Sequence, residues 1–350
     1  MPRKLGILAR NFKYPAKLPN LMKMELTKRK LPEHVPYRPT TIDLEPNVTC
    51  NLACRMCQVP TWDRKAPDLS TDDFRKLLDS IPTLMKIKLQ GMGEPFLNRD
   101  LLDIIELGVR QDLVIVTNTN GTILNEEMCR RVISSGLDTI SISIDGATKE
   151  TYEKIRIKGK FNIVIENTKR LIAMRGTSSM PRINVWMLGM RENIHELSMM
   201  VQLCHDLGVD ELKLQHDLSY WGKAEWAERL SGDTLDDGAE TKRLLDDAAS
   251  LASKLGLEFI LFQEDRYSYS EGKNCGWPWT SAYITTDGFV CPCCIAPDPE
   301  VINFGNLHEA DFGDIWNSDK YRLFRRHLKA GEIPAFCTGC YKDYRGIIEL

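Results

Sequence analysis

Hydrophobic and polar positions alternate in short runs along the middle of the chain, and longer amphipathic stretches separate these runs. The six β-rich runs are TIDLEP, MKIKLQG, LVIVTNT, TISISID, INVWML and ELKLQ. The stretches between them, such as STDDFRKLLDSI and NEEMCRRVISSG, have apolar residues at helical spacing. Ser70 is a predicted helix N-cap, and Gly136 and Gly208 are predicted helix ends. Strands that alternate with helices predict βαβ units and a parallel sheet.

This order of elements predicts an α/β fold, in which residues 40–256 form a partial (β/α)6 TIM-like barrel. In such folds the active site lies at the C-terminal ends of the strands. The rhythm changes at Leu257, where aromatic residues, Gly, Pro and Cys become frequent. Within this part, Asp287-Gly288 in AYITTDGFVC predicts a β-hairpin. We therefore predict a second, small Cys-rich domain over residues 257–350.

The first 39 residues contain ten Lys and Arg but only Glu25 and Glu33 as acids. We interpret residues 1–39 as a solvated basic arm that wraps the barrel domain. The alternative is a docking surface for an acidic redox partner.

The overall charge is balanced, because 27% of the 350 residues are charged and the net charge is −3. This argues against a dedicated nucleic-acid-binding protein. No apolar run is long enough to cross a bilayer, and the first residues lack the apolar stretch of a signal peptide. The sequence thus predicts a cytoplasmic protein without membrane contact. Eleven Cys are many for that compartment, where clustered thiols usually indicate metal or redox chemistry.

Three of these thiols, Cys50, Cys54 and Cys57, form a C-x3-C-x2-C group directly after the first predicted strand. A structural zinc site takes four protein ligands, and this group offers three thiols and no nearby His. Three thiolates would leave one iron of a 4Fe–4S cluster without a protein ligand. An open iron is a place for a substrate or cofactor to bind.

The triplet after the first strand of a partial barrel resembles the radical S-adenosylmethionine (radical SAM) superfamily. The resemblance implies that Cys50, Cys54 and Cys57 bind a 4Fe–4S cluster. It further implies that the open iron binds the methionine part of SAM, and that reductive cleavage gives a 5′-deoxyadenosyl radical that abstracts a substrate hydrogen. A flavodoxin or ferredoxin-type protein is the implied electron donor.

Residues at the ends of the next two strands extend the resemblance. The family's G-G-E-P motif corresponds to Met92-Gly93-Glu94-Pro95, with Met in place of the first Gly. The resemblance implies that the backbone here and the Glu94 side chain hold the methionine ammonium group. Asn118 follows in TNTNG, where it either contacts the cofactor or caps a turn.

The fourth strand ends in SISIDG, and alternation places Ser141, Ser143 and Asp145 on one face. A polar stripe inside a barrel needs a polar partner. The resemblance implies that Ser143 and Arg156 contact the SAM carboxylate. A surface salt bridge is the alternative role of Arg156.

Six further cysteines lie in the second predicted domain. Four thiolates from separate loops can hold zinc or an iron–sulfur cluster. The order C…DG-x-V-x-P-C-C…GNL…IWNS…C-x2-C resembles the SPASM/Twitch extension of radical SAM enzymes, which implies an auxiliary 4Fe–4S cluster. The chain lacks the additional cysteines of the two-cluster form after Cys340, so one cluster is expected. The preferred ligands are Cys275, Cys293, Cys337 and Cys340, with Cys291 and Cys294 as alternatives to Cys293.

An auxiliary cluster with four protein ligands would accept electrons rather than anchor a substrate. This resembles the Twitch dehydrogenases that oxidise a cyclitol alcohol, and it implies oxidation of a small polar molecule such as a sugar or aminocyclitol. The short segment before Cys50 leaves little room for a peptide-recognition domain. Peptide modification is still an alternative, as are sugar epimerisation and decarboxylation. A non-catalytic iron–sulfur carrier or zinc scaffold explains the cysteines but not the residues at the strand ends.

Candidates for a substrate base follow the sixth strand and the junction of the two domains. They are His216, Asp217 and Tyr220 in the first place, and Glu264 and Asp265 in the second. Polar loop residues are common at such places, so each is more often structural than catalytic.

Overall fold

The computed structural model of the protein describes residues 17–218, 220–262 and 267–350. Within these residues, nine strands form one sheet in the order β10-β9-β1-β2-β3-β4-β5-β6-β7, and two pairs of short strands lie outside it. The strands are β1 (Thr41–Leu44), β2 (Lys86–Leu89), β3 (Val114–Thr119), β4 (Thr139–Ser143), β5 (Arg182–Leu188), β6 (Glu211–Gln215), β7 (Glu258–Phe262), β8 (Tyr267–Ser268), β9 (Ser281–Ile284), β10 (Val290–Cys291), β11 (Glu332–Pro334), β12 (Tyr341–Asp343) and β13 (Gly346–Ile348).

Neighbouring strands from β1 to β7 are parallel, which confirms the prediction for β1 to β6. Ile42 is opposite Ile87, and Ile87 is opposite Ile115. These side chains are fully buried in the main core. Successive residues of a strand point to opposite faces, so the other face of the sheet carries the polar residues of these strands.

Helices connect the strands and cover the apolar face of the sheet. Ser70 accepts a hydrogen bond from the Asp73 N–H at 3.1 Å, which confirms the predicted N-cap. Gly208 ends another helix with φ of 77°, where a glycine is favoured. The helices are α1 (Lys17–Thr27), α2 (Thr71–Ser80), α3 (Leu101–Arg110), α4 (Glu126–Ser134), α5 (Lys149–Ile155), α6 (Phe161–Arg175), α7 (Leu197–Leu207), α8 (Ala224–Leu230), α9 (Ala239–Leu255), α10 (Trp277–Thr280), α11 (Phe312–Trp316) and α12 (Asp319–Ala330).

Residues assigned to the second domain extend the sheet at both edges. β7 pairs in parallel with β6, and β9 pairs in parallel with β1. The hairpin around Asp287-Gly288 is confirmed, because β10 pairs antiparallel with β9. The sheet is therefore larger than the predicted six strands, and the Cys-rich part of the chain is joined to the barrel through β9.

The described part of the basic arm packs against the C-terminal helices. The Trp279 indole N–H donates to the Pro32 carbonyl at 2.8 Å. The Trp316 indole N–H donates to the Tyr37 carbonyl at 3.0 Å. In the part of the chain that the structure describes, no helix is both long and apolar enough to cross a bilayer.

Candidate active site

A cavity of about 330 Å³ lies at the C-terminal ends of the strands. Its wall brings together residues that are far apart in the sequence. They include every residue predicted to hold the first cluster or SAM, namely Cys50, Cys54, Cys57, Met92, Gly93, Glu94, Asn118, Ser143 and Arg156. The structure thus places these nine residues around one space, while their individual roles stay predictions.

The cysteine loop after β1 is fixed by backbone hydrogen bonds to the last residue of α5 and to the segment that follows it. The Ala53 N–H donates to the Ile157 carbonyl at 3.0 Å, and the Arg55 N–H donates to the Ile155 carbonyl at 3.1 Å. The Arg55 guanidinium also forms an ion pair with Glu192. These contacts present three thiols on one side of the cavity.

The three thiols are largely buried, and burial raises the pKa of each of them. For Cys57 the pKa rises to about 12. At Cys54 the nearby Arg156 guanidinium opposes this effect. Across the described residues, no three His, Cys, Asp or Glu side chains converge as ligands of a single metal ion would. A donor set made only of sulfur suits an iron–sulfur cluster.

Gly93 lies where the loop after β2 crosses the chain that leads into the cysteine loop. A Cβ on Gly93 would lie 2.3 Å from the Asn47 Oδ1 atom and 2.6 Å from the Thr49 carbonyl oxygen. Only a glycine allows this close approach of two backbones. Packing therefore requires the glycine of the predicted motif, whatever ligand the motif binds.

The Glu94 carboxylate joins the loops after β2 and β3. Its Oε1 atom accepts hydrogen bonds from the Thr119 hydroxyl at 2.8 Å and the Phe96 N–H at 3.2 Å, and its Oε2 atom accepts one from the Asn120 N–H at 2.7 Å. Burial raises the pKa of Glu94, and these hydrogen bonds oppose the rise. The side chain thus serves a structural purpose, and the predicted contact of Glu94 and the adjacent backbone with an ammonium group stays a prediction.

Arg156 is not a surface residue, because only 11% of its side chain is exposed. Its Nε atom lies 2.7 Å from Oδ2 of Asp145, which is fully buried. The other oxygen of Asp145 accepts the Leu188 N–H at 2.8 Å. The ion pair holds the guanidinium at the cavity wall, which fits the predicted contact with a carboxylate and not the alternative surface salt bridge.

Several residues of the cavity wall were missed in the sequence. Trp186 packs against Phe262 with ring centroids 5.6 Å apart, and its indole N–H donates to Gln215 at 3.1 Å. On another wall, the Asn118 amide donates to Gln90 at 3.0 Å. Alternation along β2, β5 and β6 could have identified these positions, as it did for Ser143 on β4.

The four predicted ligands of the auxiliary cluster form a second group of thiols close to the cavity described above. Burial raises the pKa of Cys293, and the neighbouring thiols raise it further. These neighbours are Cys294, Cys337, Cys275 and Cys340. The structure thus brings the preferred ligand set together.

The alternatives to Cys293 take other positions. The Cys291 thiol is fully buried and donates to the Pro297 carbonyl at 3.6 Å. After burial, the influences that most affect its pKa are Glu45 and Arg64. Cys294 contributes to the wall of the large cavity, together with Ile295 and Pro297. Cys294 is also one of the thiols that raise the pKa of Cys293, so the choice of Cys293 as the ligand from this stretch stays a prediction.

Of the residues nominated as a substrate base, those that the structure describes are not among the residues that line the cavity. Gln215 and Leu218 line the cavity, whereas His216 and Asp217 are not among its lining residues. The Tyr220 hydroxyl lies beside the auxiliary thiols, 3.7 Å from the Cys340 sulfur. Glu264 and Asp265 lie outside the described residues. A role of any of these as a proton acceptor stays a prediction.

Comparison with known proteins identifies the class to which this site belongs. Residues 44–204 match the Radical SAM superfamily, and residues 275–341 match SPASM, an iron-sulfur cluster-binding domain. The chain therefore belongs to the radical SAM superfamily and carries a SPASM domain. The predicted SAM-binding 4Fe–4S cluster, the auxiliary cluster and SAM itself are the cofactors of this class.

Curated relatives cover most of the chain. It is 26% identical to the tungsten-containing aldehyde ferredoxin oxidoreductase cofactor-modifying protein of Pyrococcus furiosus, over 85% of this chain and 86% of that protein. It is 26% identical to the AdoMet-dependent heme synthase of Methanosarcina barkeri, over 86% and 91%. A third relative is the PqqA peptide cyclase of Bradyrhizobium diazoefficiens, 25% identical over 86% and 78%.

Solved structures share the fold. Streptococcus suis SuiB superposes with a TM-score of 0.67 at 15% identity, covering 95% of this chain and 79% of SuiB. The enzyme anSMEcpe, solved with bound AdoMet and the Cp18Cys peptide, superposes with a TM-score of 0.63 at 16% identity, covering 84% and 85%. The predicted α/β architecture with a small Cys-rich domain is thus confirmed.

Proposed function

We propose that the protein is a radical SAM enzyme that abstracts hydrogen from a peptide and completes an oxidation with its auxiliary cluster. One observation carries the proposal: a single cavity is bounded by the cysteine triplet on one side and by Cys294, Ile295 and Pro297 on another. Because Cys294 is next to Cys293 in the chain, a substrate in this cavity would lie near both groups of thiols. An electron acceptor next to a substrate radical suits oxidation.

The bound groups and the chain have separate tasks. A three-cysteine cluster with SAM supplies a 5′-deoxyadenosyl radical, and a four-cysteine cluster supplies an electron acceptor. In this chain, Arg156 would offer a positive charge to a carboxylate, and the backbone at Gly93 with the Glu94 side chain would hold an ammonium group. Trp186 and Phe262 pack against each other and give one part of the cavity wall an apolar surface.

Two features support a peptide substrate. The relatives include PqqA peptide cyclases, which match about 86% of this chain. Gln90, Asn118 and Gln215 also line the cavity. Their amide groups both donate and accept hydrogen bonds, as recognition of a peptide backbone requires. This reverses the preference that the short N-terminal segment had given to small molecules.

A small polar molecule is the second candidate, and the floor of the cavity favours it. The Lys88 Nζ atom lies 3.7 Å from the Asp43 Oδ1 atom, and the Gln90 amide donates to the Asp43 Oδ2 atom at 2.8 Å. Asn118 in turn donates to Gln90. Such a connected polar surface suits a sugar or aminocyclitol alcohol.

Deuterium transfer can separate the two candidates. The reconstituted enzyme, SAM and dithionite are incubated without oxygen with a small-molecule and peptide extract of deuterium-grown source cells. Hydrogen abstraction from a substrate places deuterium in 5′-deoxyadenosine, which mass spectrometry detects. We expect prior digestion of the extract with a nonspecific protease to abolish this transfer.

The controls give every outcome a meaning. Transfer that survives digestion would overturn the peptide proposal in favour of the small molecule. If 5′-deoxyadenosine itself never forms, the assignment of the enzyme reaction fails. A variant with Cys50→Ala, Cys54→Ala and Cys57→Ala provides the background for SAM cleavage that does not depend on the cluster.

A further inference from the structure

The Tyr220 hydroxyl contacts the turn that carries two of the auxiliary cysteines. It donates to the Phe336 carbonyl at 3.0 Å and accepts the Gly339 N–H at 3.1 Å. Its oxygen also lies 3.7 Å from the Cys340 sulfur, within hydrogen-bond distance for sulfur. All three contacts reach across about 120 residues of sequence, from the end of β6 to the Cys337–Cys340 turn.

The packing around this contact leaves no room for a residue larger than glycine at position 339. A Cβ on Gly339 would lie 2.2 Å from the Tyr220 ring. The residues after Tyr220 are held as well: Gly222 has φ of 72°, and a Cβ there would lie 3.0 Å from Phe336. Lys223 forms an ion pair at 2.8 Å with Asp298, which is 1% exposed. The tyrosine is therefore fixed against the turn by its neighbours and not by the hydroxyl alone.

A hydroxyl has one proton, which the Phe336 carbonyl and the Cys340 sulfur compete to accept. As a cluster ligand, Cys340 is a thiolate that can only accept, and its negative charge strengthens an O–H···S hydrogen bond. Reduction of a cluster adds negative charge, so a donor to a ligand sulfur stabilises the reduced state. Hydrogen bonds to the sulfurs are among the factors that set cluster potentials.

We propose that Tyr220 is a positioning residue of the auxiliary cluster: it holds the Cys337–Cys340 turn, and its hydroxyl donates to the Cys340 sulfur and raises the cluster's reduction potential. This makes the cluster a better electron acceptor. The inference rests on the proposed function, and specifically on Cys340 as a ligand.

The test is an anaerobic redox titration of the holoenzyme followed by EPR, reading the signal that added SAM leaves unchanged. For Tyr220→Phe we expect a lower midpoint potential, by about a tenfold change in the reduction equilibrium, or about 59 mV for one electron. Tyr341→Phe is the matched control, because its hydroxyl lies by the same thiols but accepts the Cys275 N–H at 3.1 Å. That variant should keep the wild-type potential.

An unchanged potential in Tyr220→Phe with full iron content would overturn the proposal. A second measurement on the wild type covers the case in which this variant loses its cluster. Pulsed ENDOR in D2O should show an exchangeable deuteron coupled to the auxiliary cluster, and its absence would also overturn the proposal. Cys340→Ala tests the ligand assignment separately: if this variant retained all iron, the inference about Tyr220 would fall with that assignment, whereas the proposed function would still stand.

Discussion

A buried charge at the cavity wall binds an opposite charge most effectively when its orientation is fixed. Asp145 receives the Leu188 N–H and pairs with the Nε side of Arg156, so the guanidinium cannot turn away from the cavity. Burial by itself would lower the pKa of Arg156, but Asp145, Cys54 and Tyr152 together outweigh this effect, so the pKa is raised. The residue therefore stays charged at any working pH and can serve a carboxylate ligand.

Arg156→Lys tests this use of the guanidinium. Lysine keeps the charge beside Asp145 but loses the planar fork that matches a carboxylate. We expect the Kd for SAM to rise about tenfold, equal to about 1.4 kcal/mol, with iron content unchanged. Anaerobic equilibrium dialysis with labelled SAM measures this change. Lys149 is an exposed cation at the start of α5, which ends just before Arg156, and Lys149→Ala should bind SAM as the wild type does.

An equal Kd in Arg156→Lys would mean that the arginine serves Asp145 alone. Arg156→Ala is less informative, because it would leave a buried carboxylate without its partner and cost about 3–5 kcal/mol of stability.

At the scale of elements, the site depends on how two loops cross. The loop after β2 passes under the chain from Asn47 to Cys50, and the Glu94 N–H donates to the Thr49 carbonyl at 2.7 Å. Any displacement of this loop would therefore move the residue next to the first cysteine.

Gly93→Ala should displace the loop. Two of the three atoms nearest to a new Cβ are backbone oxygens, those of Thr49 and Asn47, and they cannot rotate aside. We expect SAM cleavage to fall by about 10²-fold, the cost of a misplacement of about 1 Å at a reacting centre. Product analysis of 5′-deoxyadenosine measures the rate. Gly232→Ala is the control, since nothing lies within 4 Å of a Cβ there.

Normal SAM cleavage by Gly93→Ala would show that the loops adjust to the extra atom without moving Cys50. Loss of cleavage in Gly232→Ala as well would point to a general effect of the substitutions on folding.

Local sequence patterns were sufficient to predict strands β1 to β6 and the hairpin, because each of them is encoded by residues that are close in sequence. The partners of β7 and β9 were not predictable in this way. β7 has an exposed edge with little alternation, and β9 pairs with β1 across about 240 residues. Among site residues, motif spacing identified the thiols. The position of Cys294 needed the fold, since strand β10 ends at Cys291 and alternation no longer applies.

For the molecule as a whole, a buried arginine forms ion pairs with carboxylates in both of the parts that carry the two groups of thiols. Arg64, 5% exposed, lies after the first cysteine loop and pairs with Glu45 at 2.8 Å and with Asp287 in the β9–β10 turn. Tyr283 also donates to Glu45 at 3.1 Å. The barrel and the Cys-rich region thus share one set of contacts beside the cavity, and their relative position is set by the fold.

Because the two groups of thiols are separate, removing one should leave the other intact. The reconstituted wild type should contain about eight irons per chain, four for each cluster. Cys54→Ala should keep about four irons and lose SAM cleavage. Cys337→Ala should also keep about four irons, yet it should still form 5′-deoxyadenosine while product formation stops. Cys291→Ala should keep about eight, because its thiol contacts the Pro297 carbonyl. Iron analysis beside product analysis measures both properties, and loss of all iron from either ligand variant would contradict two independent sites.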